Sequence, residues 1–65
     1  MHPSIKAELM FLVLFRKAEL LYSIGEFELS LMCYEKCRHL RGNKEEIFKG
    51  CEKAKKAIND VLDGE

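Results

Sequence analysis

The side chains able to do chemistry cluster in the second half of the chain. Cys33 and Cys37 are four residues apart, so on a helix both sulfurs point to one side, with His39 and Cys51 close by in sequence. Thiolates and imidazoles bind zinc, but structural zinc sites draw on two such ligand pairs. The second pair is missing here, so the spacing predicts no metal site and three small, buried, inert thiols instead. A nucleophilic cysteine fares no better. Cys37 and His39 are two residues apart, so their side chains diverge on a helix. No third residue is placed to orient the imidazole. The four glycines are scattered and form no phosphate cradle. Glu26 and Glu28 fall in a polar first turn rather than in a pocket. These patterns point away from an enzyme and call for no cofactor.

At 65 residues the chain makes at most one small domain, and a domain of this size buries only about 60% of the surface its unfolded chain exposes. With 48% hydrophobic and 34% charged residues it still has the composition of a folding chain rather than a disordered one. A formal net charge of zero argues against general binding to nucleic acid or anionic membrane, which relies on excess charge. Lysines and arginines do outnumber acids between Lys36 and Lys56, which reads as a solvated helix face. Three cysteines are an odd number and do not suggest a disulfide framework. The apolar run from Leu9 to Phe15 is far shorter than the ~20 residues needed to span a bilayer. Glu8 before it and Arg16-Lys17 after it are unlike a secretory signal. The expectation is a cytoplasmic chain with reduced thiols.

Three helices separated by two breaks would position these residues. Pro3-Ser4 suits a helix start, and the first helix is expected from about Ser4 to Ser23. It is apolar on nearly every side from Met10 to Phe15, and such a helix must be covered all round. Three helices cannot easily do that. Gly25 marks the first break, because glycine accepts the positive φ of a helix end. A second helix is expected from about Glu26 to Leu40, with Phe27, Leu31, Tyr34 and Cys37 on one face. Arg41-Gly42-Asn43 is the second break. Asn43 with Glu46 fits a capping box for a third helix over 44–62. That helix carries the stripe Ile47, Cys51, Ala54, Ile58 and Val61, with Phe48 and Leu62 beside it. Glu45–Lys49 and Glu52–Lys56 are spaced as ion pairs along its surface.

Two such helices joined by a tight turn have the layout of a helical repeat. Small residues at Ala18, Ser30 and Cys37 would let antiparallel helices approach closely, and Leu14, Leu21, Phe27 and Tyr34 would fill the space between them. The run Gly25-Glu26-Phe27, Ser30-Leu31 and Tyr34-Glu35-Lys36-Cys37 resembles the second half of a tetratricopeptide repeat, whose period is about 34 residues. Lys17 stands where that pattern has Leu, and Gly42 where it has Pro. Helix three starts where a next repeat would, but Glu52 and Lys55 occupy positions of a small residue and an aromatic. It therefore resembles a terminal capping helix. The expected fold is all-α, a tetratricopeptide-like antiparallel hairpin plus a third capping helix. Residues 1–16 form an atypical apolar segment that starts helix one. Residues 11–43 make the repeat, and 44–62 the cap or the start of a next repeat.

Within that family, the run from Lys17 to Leu31 and the block from Phe48 to Ile58 resemble the N-terminal repeat region of the ciliary proteins that dock outer dynein arms. The second block is the more specific, because ordinary repeats do not share it. Residues 1–16 do not share the resemblance, and the chain is expected to be a fragment in which they replace lost repeats. The resemblance implies a protein–protein interaction module in cytoplasm and ciliary axoneme. Its partners would be the docking-complex subunits, which are largely coiled coils. A tetratricopeptide scaffold unrelated to cilia is the alternative. Glu19, Tyr22, Glu26 and the basic stripe Lys49, Lys53 and Lys56 are the candidate contact residues. No nucleic acid or membrane partner is expected, while self-association is, because a lone repeat cannot bury its hydrophobic face. Since the second ligand pair is missing, adding zinc should leave the thermal midpoint of the purified chain unchanged; a rise of several degrees would reinstate a metal site.

Overall fold

A computed structural model describes residues 4–42 and 44–63. The chain is all-α, with three helices: α1 (Ser4–Ser23), α2 (Phe27–Arg41) and α3 (Glu45–Asp63). α1 and α2 form an antiparallel hairpin, and α3 packs on α2, which is the central helix. The expectations placed on Pro3, the Ser4 side chain and Asn43 lie outside the described residues.

Helix one has the expected limits, while the other two begin and end one residue later than expected. The shift at α2 has a local cause. Gly25, at φ +88°, donates its N–H to the Tyr22 carbonyl at 3.1 Å, and the Glu26 N–H reaches the Leu21 carbonyl at 2.8 Å. This paired bonding closes the end of α1 in a Schellman motif. Glu26, with φ −88° and ψ 71°, is outside helical geometry, so α2 opens at Phe27. At the other end, α2 stops at Gly42, whose φ is +83° and whose N–H donates to the Arg38 carbonyl at 2.6 Å. The Lys44 carbonyl then accepts the Phe48 N–H at 2.9 Å, which makes Lys44 the residue that leads into α3.

The hairpin closes on its small residues. Ala18, Ser30 and Cys37 are all fully buried. The Ser30 hydroxyl donates across the interface to the Ala18 carbonyl at 2.7 Å, so the one buried polar side chain described is satisfied. The Cys37 thiol points at the Phe11 carbonyl, 3.9 Å away. Tyr34 is the largest side chain buried to this degree. Its ring meets Phe15 edge-on at 5.7 Å, and Phe15 in turn stacks on Phe11 at 5.7 Å. α3 adds Ile47, Cys51 and Ala54 to this core.

Gly50 explains how α3 comes so close. A methyl group built on it would lie 2.6 Å from Tyr34 Cδ1, well inside contact distance. Glycine in a helix interior costs about 1 kcal/mol relative to alanine, and here that cost is offset by the packing of Tyr34 against bare backbone. The expected stripe on α3 is therefore only partly buried: Ile58 is half-buried, and Val61, Leu62 and Phe48 are more than half exposed. Ile58, Val61 and Leu62 instead line an open cleft with Phe27 and Glu28 at the start of α2. Of the two ion pairs expected on α3, Lys49–Glu45 forms at 3.4 Å. The other does not. Lys55 takes Glu52 at 3.9 Å and Lys56 takes Asp60 at 3.6 Å, alternatives that differ little in energy on an exposed helix.

Gly50→Ala should destabilise the chain by about 1–3 kcal/mol, because the overpacking exceeds the helix-propensity gain. Adding Tyr34→Leu should recover part of that loss in a double-mutant cycle followed by denaturant unfolding. An alanine variant as stable as the parent would show that α3 does not depend on this close approach.

Candidate functional site

Three of the six expected contact residues, Glu19, Tyr22 and Lys53, lie where α1 and α3 meet above Tyr34. Tyr22, the penultimate residue of α1, is half-buried; its ring packs on Phe27 at 5.1 Å. Lys53 reaches across from α3 and sets its ammonium 4.4 Å from the centre of the Tyr22 ring. A cation over an aromatic face is favoured by the ring quadrupole, so Tyr22 and Lys53 form a single feature contributed by two helices. Glu19 is exposed one turn earlier on α1, and its charge, after burial, is the next cause holding the Tyr34 phenol above its ordinary pKa.

The other expected residues are not drawn into this feature. Lys49 and Lys56 are exposed, each engaged with an acid on its own helix. Glu26 sits at the α1–α2 turn on the rim of a cleft with Phe27, Glu28, Ile58, Val61 and Leu62. Sequence reading also missed two contributors. Gly50 carried a signal, because a glycine inside an otherwise regular helix marks a close approach. The pairing of Tyr22 with Lys53 carried none, because 31 positions separate them.

The thiols sit in the core and not on this surface. Cys33, Cys37 and Cys51 are all free and buried. Burial first, then neighbouring Cys33 and Cys51, pushes the Cys37 thiol up to about 11 from an ordinary 9.0. Burial also raises Cys51, with Glu35 adding to the effect and Arg38 and Lys55 opposing it. Such thiols stay protonated at neutral pH, and only the thiolate is nucleophilic. Among the described residues, no three Cys, His, Asp or Glu side chains are grouped closely enough to hold a metal ion. None of the described helices is long and apolar enough to cross a membrane.

The sign of the pH effect follows from the raised Cys37 value. Between about pH 9 and 11 the unfolded chain loses this proton while the folded chain keeps it. The associated stability is therefore full below pH 9 and is lost as pH rises through 11. Denaturant midpoints should fall across that window in the parent and fall less in Cys37→Ala. Alkylation of Cys37 at pH 7.5 should be slow until denaturant is added. Fast labelling of the native chain would contradict the burial described here.

Compared with known proteins, the chain is 40% identical over 49 residues to "Outer dynein arm-docking complex subunit 4" of Danio rerio. The match takes in 75% of this chain and 10% of that protein, so the chain spans about a tenth of the relative's length. No family model and no solved structure matches it.

Proposed function

We propose that this chain is a protein-binding helical hairpin of tetratricopeptide type, from a protein that takes part in docking outer dynein arms, and that it has no enzymatic activity. The similarity over three-quarters of the chain carries this reading. The hairpin geometry supports it: Ala18, Ser30 and Cys37 occupy the close-approach positions such a repeat requires, and Tyr34 fills the aromatic one. Protonated thiols in the core support the absence of nucleophilic chemistry.

The partner would be an α-helix from a coiled-coil subunit of the docking complex, received on the surface where α1 and α3 meet. Helices seat on such faces through a few anchoring contacts. Tyr22 supplies an aromatic platform, and Glu19, Glu26, Lys49, Lys53 and Lys56 supply charges of both signs around it. The protein would then be found in cytoplasm and axoneme. A helical scaffold that works outside cilia is the second reading. It is favoured by the small residues at the hairpin seam, which serve helix packing in any such protein.

Location separates the two readings. A tagged full-length protein containing this segment should concentrate in axonemes, and uniform cytoplasmic signal would favour the general scaffold. Tyr22→Ala and Lys53→Ala should each weaken capture of docking-complex coiled-coil segments by roughly threefold to tenfold, the range expected when one anchoring contact is truncated. Unchanged capture by both variants would remove this surface from the account.

A further inference from the structure

We propose that the outward face of α1 is a self-association surface, on which α1 of a second copy packs antiparallel about a two-fold axis near Leu12 and Val13. The face lies opposite the one that packs on α2. At 100° per residue, Ala18 and Leu21 point inward while Ile5, Leu9, Leu12, Val13 and Leu20 share the opposite side. All five are 53–78% exposed. Beside them runs an apolar groove of about 390 Å³, lined by Leu9, Met10, Val13 and Leu14 between Lys6 and Lys36. It is wide enough to take an aliphatic side chain. The face of α3 away from the core instead carries Lys49, Lys56 and Asp60.

Area and charge both favour a second copy as the occupant. Five aliphatic side chains at this exposure present roughly 400–500 Å² of apolar surface per chain. Two copies would bury about 800–1,000 Å², close to the roughly 1,000 Å² of a small specific interface. Arg16 lies near the middle of the stripe. In a parallel pair it would face its own copy, guanidinium against guanidinium. In an antiparallel pair centred on Leu12 and Val13 it falls beside Glu8 of the second copy, and the two-fold axis makes this contact twice. Glu8 holds Arg41 of its own chain at 3.4 Å through Oε2, and its side chain is 63% exposed. Its other oxygen is thus available to a second guanidinium. Lys6 and Lys17 flank the opposite side of the seam, where their long stems let both ammonium groups reach water.

Sedimentation equilibrium of the 65-residue chain, with helicity followed by circular dichroism, tests the assignment. The parent should be a concentration-dependent dimer. Leu12→Glu should be monomeric, and because Leu12 is exposed the hairpin should persist. Glu8→Arg and Arg16→Glu should each weaken dimerisation by roughly tenfold, since each reversal acts twice. The double variant Glu8→Arg/Arg16→Glu should regain most of that loss. A parent that stays monomeric at all concentrations overturns the proposal and leaves the face to a helix of another protein. Open-ended aggregates, or a double variant without recovery, overturn it equally, because neither is compatible with a closed two-fold contact.

Discussion

The burial of Tyr34 is the constraint from which the rest of the packing follows. Its ring sits on α2 between Phe15 of α1 and the bare backbone at Gly50 of α3. An aromatic ring so enclosed brings its apolar area and its dispersion contacts together in one place. It also dictates which residues can stand around it. Ala18 and Ser30 must be small so that α1 and α2 can close beside it, and residue 50 must lack a side chain so that α3 can close from the other side. Among the described residues Tyr34 is the largest side chain that is fully buried, and Phe11 and Phe15 pack against the core from α1.

Charge and polarity are arranged around this centre. The Ser30 hydroxyl is buried without penalty because it donates to the Ala18 carbonyl, which also ties the seam of the hairpin. The cysteines are enclosed in the same interior, and burial raises the pKa of the Cys37 and Cys51 thiols. Where α1 and α3 come nearest above the ring, Tyr22 and Lys53 pair. A positively charged aromatic platform therefore exists only because Gly50 lets α3 approach. The candidate binding surface and the core are thus two sides of one packing solution.

The two flanking helices end up with different characters. α3 is amphipathic, with its outer face wet and laced by ion pairs within the helix. α1 keeps apolar residues on the side away from α2. This asymmetry, together with similarity to a much longer protein, is what makes an interaction role a more natural reading than a self-contained one.

Local signals determined the elements themselves. Gly25, Gly42 and the apolar spacing placed all three helices to within one residue, because helix ends are set by backbone conformation and bonds between near neighbours. The small residues at 18, 30 and 37 were legible as a close seam for the same reason, since they share faces whose period is known in advance. Tertiary structure decided what depends on distant partners. It decided that Val61 and Leu62 stay more than half exposed and that Gly50 meets Tyr34. It also decided that Lys53 lies over Tyr22 while Lys49 and Lys56 do not join it. A periodic pattern says which side of a helix is apolar, but not where along its neighbour the helix comes to rest, and that axial offset is fixed only when Tyr34 and Gly50 pack together.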